Sequence, residues 1–120
     1  MLTEFGKMLR RIRLDGNVLL KDMSDKLNVT ASYLSAVEHG KREIPVNWVN
    51  LISNIYHLDD DTTEKLHEAA EMSRLSLKMD LKGYSSDTTY LANAFARKLK
   101  DFNKSEIEQM MKIINGKEKE

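Results

Sequence analysis

Apolar residues recur at Leu2, Phe5, Leu9 and Ile12, with Met8 beside them, while Lys7, Arg10 and Arg11 fall between. This 3.6-residue period predicts a first amphipathic helix, Leu2 to Arg13. Asp15-Gly16-Asn17 is expected to break it, because Gly and Asn accept turn conformations. A second helix follows at about Leu20 to Leu27, with Leu20, Met23 and Leu27 on one face. Asn28 suits a left-handed helix end, and Thr30 is placed to cap a third helix anchored by Leu34 and Val37 and stopped at His39-Gly40. Pro45 predicts the start of a fourth helix running to about Tyr56, with Trp48, Val49, Ile52 and Ile55 as its apolar stripe. Asp59-Asp60-Asp61-Thr62-Thr63 opens a fifth, through Leu66, Ala69 and Ala70 to about Ser73.

The period then changes. Leu75, Leu77, Met79 and Leu81 alternate with Ser76, Lys78, Asp80 and Lys82 up to Gly83, which predicts a short strand with one apolar face. Ser85-Ser86-Asp87 should cap a sixth helix carrying Leu91, Ala94, Phe95, Lys98 and Leu99. Asn103-Lys104-Ser105-Glu106 precedes a seventh with Ile107, Met110, Met111 and Ile114, and Gly116 to Glu120 is expected to fray. The fold class expected is therefore mainly α: five helices, a short strand and two more helices, divided as 1–73 and 74–120.

With 120 residues the chain has room for a small domain and an appendage. It has no cysteine, so disulfides, thiol chemistry and cysteine-ligated zinc are excluded. No apolar run approaches the roughly 20 residues of a membrane span, and MLTEFGKMLRRIR lacks the apolar centre of a signal peptide, so a cytoplasmic location with no membrane partner is expected. The 19 basic residues equal the 19 acidic ones. Residues 1–58 hold eight Lys/Arg against six Asp/Glu, a net of +2, and the remainder carries −2. That asymmetry permits a nucleic-acid partner without establishing one.

Pattern carries more than charge does. Residues 20–40 form two short helices joined by a three-residue turn, the layout of a helix-turn-helix, in which buried side chains lock the pair so that the second helix projects into a major groove. Met23, Leu27, Val29, Leu34 and Val37 are placed to lock it. The reading helix then spans Thr30 to His39, and its outward face is free of acidic residues.

Phe5 to Leu58 resembles the XRE family, the phage repressor and Cro type of helix-turn-helix domain. The resemblance is carried most specifically by Ser35-Ala36-Val37-Glu38-His39-Gly40-Lys41-Arg42, similar to the family's S-x-[hydrophobic]-E-x-G-[KR]-[KR] run. Ser24 stands where the family usually has Ala, Asn28 where it has Gly, and Leu20 where members often carry a phosphate-binding Gln. The resemblance implies a five-helix repressor-like domain whose base-edge contacts come from Ala31, Ser32, Tyr33, Ser35 and Ala36. It implies phosphate contacts from Lys21, Lys41, Arg42 and Asn47, and a structural ion pair between Arg13 and Glu38. The function it implies is that of a transcriptional regulator, a repressor, binding double-stranded DNA sequence-specifically. Small side chains discriminate bases weakly, so water-mediated contacts, methyl contacts and DNA shape must supply much of the readout.

Other chemistries find less support. Asp59 to Asp61 lack the alternating ligands and glycine of a calcium loop. His39, His57 and His67 share no ligand-like or catalytic spacing, so neither a metal, a cofactor nor an enzyme is expected. The lone strand should need a second copy to pair with, making the protein a homodimer through about 75–115, with Leu77, Met79 and Leu81 covered by the helices carrying Phe95 and Met110. The rival from a different class is an antitoxin or anti-repressor-like module whose second half binds another protein, DNA binding being secondary.

Overall fold

Thr3 starts the first helix by accepting the Gly6 N–H on its hydroxyl at 3.0 Å, a side-chain cap for a donor the helix cannot satisfy itself. In the computed structural model, which describes residues 1–118, this helix (α1, Glu4–Gly16) runs three residues past Arg13. Asp15 and Gly16 lie in its last turn, and the break falls at Asn17, left-handed at φ 56°. The helices that follow are α2 (Leu20–Lys26), α3 (Ala31–Glu38), α4 (Trp48–Ile55), α5 (Asp60–Ser73), α6 (Ser86–Lys98) and α7 (Lys104–Glu118), with a 3-10 turn at Leu99–Asp101.

The chain divides into two units, Met1–Leu77 and Lys78–Glu120. In the first, α1 to α5 each place at least one side chain in a common core: Phe5 and Leu9, Met23, Leu34, Ile52 and Leu66 are fully buried. At roughly 1.5–3 kcal/mol for each such side chain, this burial is the main favourable term holding the unit together. Helix α5 closes it from outside. Its Ser73 hydroxyl accepts the Phe5 N–H at 3.0 Å and donates to the Ala69 carbonyl at 2.8 Å, joining the last turn of α5 to the first turn of α1.

Pro45 opens a turn rather than a helix. Trp48 N–H donates to the Pro45 carbonyl at 3.1 Å, and α4 begins only at Trp48. Its far end is sealed by His57 in the left-handed region (φ 51°), which lets Leu58 N–H reach the Ser53 carbonyl at 3.0 Å.

No strand occurs among the described residues, so the strand expected at Leu75 to Leu81 is corrected to an irregular, unpaired segment. Alternating apolar residues encourage extended backbone, but a strand exists only as part of a ladder, and here the chain offers no second strand. Instead Arg74 donates to the Ile44 carbonyl at 2.9 Å and Ser76 to the Glu43 carboxylate at 3.3 Å. Leu75, Leu77 and Met79 remain exposed and Leu81 half-buried. Helix α7 carries on to Glu118, making the expected frayed tail helical as far as it is described; residues 119–120 lie outside the described residues. Among the described residues no helix is long and apolar enough to cross a membrane.

Candidate nucleic-acid interface

Helix α3 is positioned from both ends. At its start Thr30 accepts the Tyr33 N–H at 3.0 Å, and the turn before it is held by Asn28 in the left-handed region (φ 60°), with Val29 N–H bonded to the Ser24 carbonyl at 2.9 Å. Asn tolerates this conformation better than other non-glycine residues. Ser24 is buried and donates to the Lys21 carbonyl at 2.8 Å, so its hydroxyl is satisfied within α2.

The other end is pinned more firmly. Arg13 on α1 and Glu38 on α3 are both buried and meet as a bidentate pair, with Nη2 3.1 Å from Oε1 and Nη1 bonded to Oε2. Arg13 Nη1 also lies 3.4 Å from the Met23 sulfur, bringing α2 into the same junction. The Glu38 carbonyl accepts from both the Thr3 N–H and the Thr3 hydroxyl at 3.0 Å. Backbone meets backbone here so closely that a Cβ at Gly6 would stand 2.2 Å from the Glu38 carbonyl oxygen. Neither Arg13 nor Glu38 faces outward. Their role is to set where α3 lies.

Outside this junction a shallow open concavity of about 470 Å³ is lined by Leu20, Ala31, Ser32, Ser35, Ala36, His39 and Lys41. Four of the five side chains expected at base edges therefore share one surface with one of the expected phosphate contacts. Tyr33 is not in it. Its ring packs edge-on against Trp48, centroids 6.1 Å apart, and carries the Arg42 guanidinium 5.4 Å from its centroid. Tyr33 and Arg42 thus form a cation–π pair beside the concavity, a contact worth about 0.5–1 kcal/mol at an exposed site. Lys21 is exposed and sits 3.5 Å from Asp25 on its own helix, a partial neutralisation of its charge. Asn47 is exposed just before α4 and makes no side-chain cap for it.

One lining residue escaped the sequence reading. His39 falls four residues after Ser35 and eight after Ala31, on the same helical stripe, so the period itself could have found it. Its Nδ1 lies 2.8 Å from the Ser35 carbonyl, which makes Nδ1 the protonated nitrogen and leaves Nε2 for another partner. Leu20, expected on the apolar face of α2, packs against the core as a half-buried side chain and also lines the concavity.

No family model, curated protein or solved structure matches this chain. Its site is thus described by its own chemistry: a lining of small hydroxyl and methyl groups, one imidazole and one ammonium, with no carboxylate. Helix α3 also has no acidic residue in its first turn, so its free N–H groups and dipole are not countered there. Among the described residues no three His, Cys, Asp or Glu side chains cluster as metal ligands would.

Proposed function

We propose that the first unit binds double-stranded DNA through α3 and that the protein is a sequence-specific transcriptional regulator, a repressor, working as a homodimer in the cytoplasm. The observation that carries this reading is the carboxylate-free concavity on the outward side of α3, held by the buried junction at its C-terminal end. A helix bearing Ala, Ser and Ser in place of longer groups lets its backbone come close to base edges, where hydroxyls donate or accept and methyls meet thymine. Lys41 at the rim and Arg42 beside it supply phosphate contacts, with Lys21 and Asn47 in lesser roles. Tyr33 supports Arg42 in this arrangement and reads no base. The likeness to the XRE family agrees with each of these assignments except that of Tyr33.

The experiment is a mobility-shift titration on sites selected from a random duplex pool. Ser32→Glu with Ser35→Glu places two carboxylates in the concavity and leaves the core untouched, so specific binding should be abolished while the melting temperature holds. Retained affinity in that double variant refutes the placement of the reading helix. Lys41→Ala and Arg42→Ala should each weaken all sequences alike and reduce the slope of log K against log salt by about 1.

A further inference from the structure

No residue from Lys78 to Lys117 is fully buried, so the second unit is built without a core of its own. Its pattern is nevertheless not that of a solvated pair of helices. Along α6, Asp87, Leu91, Phe95 and Lys98 follow one another at helical spacing, and Leu91 and Phe95 are 67% and 41% exposed. Along α7, Ile107, Met111 and Ile114 form a second exposed stripe. The tilted ring pair Phe95–Phe102, centroids 5.6 Å apart, ties α6 to the turn that follows it. It leaves the rest of both stripes in water.

We infer that these stripes of α6 and α7 are the self-association surface of the protein, α6 pairing antiparallel with α6 of a second copy about a two-fold axis. Two features point to a second copy. Tyr90 and Leu91 on α6, Leu99 just after it and the α7 stripe all stand exposed on the single chain, a concentration of large apolar side chains of the kind that marks an interaction surface. Their charges also run from acid to base along the apolar stripe of α6, Asp87 at one end and Lys98 at the other. A two-fold axis near the middle of α6 sets Asp87 of each copy against Lys98 of the other and leaves Leu91 and Phe95 at the centre. A parallel arrangement would set like charges together. An isologous contact requires such self-complementarity of a single patch.

Although it rests on the DNA-binding reading for its use, two α3 surfaces on one duplex, the pairing is measured without DNA. Sedimentation velocity on the full chain should show a concentration-dependent shift from 13.9 kDa to twice that mass over the micromolar range. Leu91→Asp with Phe95→Asp alters side chains already exposed in the single chain, so α1 to α5 should melt unchanged while dimer dissociation rises at least tenfold. Asp87→Lys and Lys98→Asp should each weaken pairing several-fold, and the double swap should restore it. A chain that stays monomeric at about 100 µM overturns the inference. So does a dimer indifferent to the Leu91 and Phe95 changes, or a charge swap without rescue. Mass gained only from a different protein assigns the surface to that partner and equally overturns it. A dimer that shifts no DNA supports the pairing and refutes the DNA reading alone.

Discussion

Replacing Gly6 with Ala should destabilise the first unit by about 2–4 kcal/mol, against the usual expectation for Gly→Ala inside a helix. Elsewhere in a helix the change gains roughly 1 kcal/mol, since Ala loses less backbone entropy and has the higher propensity. At Gly6 the new Cβ lies 2.2 Å from the Glu38 carbonyl oxygen, against the 3.4 Å at which ordinary contact begins. The blocking atoms are backbone on both sides, so α1 and the end of α3 must separate by about 1.2 Å. That displacement breaks or stretches the two hydrogen bonds from Thr3 to the Glu38 carbonyl, each worth about 0.5–1.5 kcal/mol. Overpacking adds about 1–3 kcal/mol, because the buried Arg13–Glu38 pair joins the same two helices and resists their separation. Subtracting the helix gain leaves about 1–5 kcal/mol, with the stated range at its centre. Urea denaturation followed by far-UV circular dichroism reads it directly, as a lower midpoint at unchanged slope. Thr3→Ala, which removes the cap and one of the two bonds without a clash, should cost about 1–2 kcal/mol and so fall below Gly6→Ala. A Gly6→Ala protein as stable as the parent would show that α1 and α3 do not meet as closely as described.

The Arg13–Glu38 pair predicts an asymmetry: Glu38→Ala strands a buried guanidinium and should cost about 3–5 kcal/mol, whereas Arg13→Met with Glu38→Leu should recover most of that loss. A Glu38→Ala protein less than about 1 kcal/mol weaker in denaturant would move the pair out of the core. Hydrogen bonds from Thr62 to the Asp59 side chain hold its carboxyl below the usual carboxylate range. A lowered folded-state pKa contributes stability that is present above the unfolded value and is lost as pH falls through the folded one. Thermal melts should therefore show a loss on acidification that is smaller in Asp59→Asn, which keeps the cap without titrating; equal losses in both proteins would contradict it. The Tyr56 hydroxyl is buried with no hydrogen-bond partner, and burial pushes its pKa up despite the nearby Arg13 charge. Tyr56→Phe should then raise stability by about 1 kcal/mol. It should also abolish the part of the alkaline loss that begins as unfolded Tyr ionises, before the folded hydroxyl does; a less stable Phe variant would mean that the hydroxyl is bonded after all.

Local chemistry made much of this fold legible, and non-local geometry hid the rest. The stripe Phe5, Leu9, Ile12 on α1, the Thr30 cap and the left-handed Asn28 are each readable because cause and consequence lie within a few residues. Gly6 was silent: a glycine within a helical pattern acquires meaning only from Glu38, which lies 32 residues on and meets it through tertiary packing. His57 likewise gave no clear sign that it ends α4 in a left-handed conformation, which few non-glycine residues adopt, although histidine does so more readily than most. Pro45 fits the first turn of a helix and a loop equally well, and the choice fell to Trp48, whose burial anchors the start of α4. The alternation from Leu75 to Leu81 was misleading about a strand, because no second strand exists among the described residues for it to pair with. At the proposed interface, helical spacing grouped Ala31, Ser32, Ser35 and Ala36 correctly on one surface. It could not turn Tyr33 toward Trp48, since that depends on where α4 packs.

The small side chains of α3 make its placement matter more than its composition. A long Arg or Gln can swing to meet a base when its helix is displaced by 1 Å, but a Ser hydroxyl cannot. On the proposed DNA-binding reading, recognition by Ala and Ser would depend on a helix axis held to a fraction of that distance, and the Thr3, Gly6, Arg13 and Glu38 junction is where the end of α3 is held. Productive geometry tolerates errors of only about 0.5 Å in general. If that reading holds, variants of the junction that stay folded should lose sequence discrimination before they lose non-specific affinity, because the proposed phosphate contacts of flexible Lys41 and Arg42 could follow a displaced helix and the proposed base contacts could not. Arg13→Met with Glu38→Leu, folded but differently packed, is the variant that separates these effects. Its affinity ratio between a selected site and random duplex should fall several-fold at unchanged salt slope. An unchanged ratio would mean that the junction maintains the fold and has no part in reading the sequence.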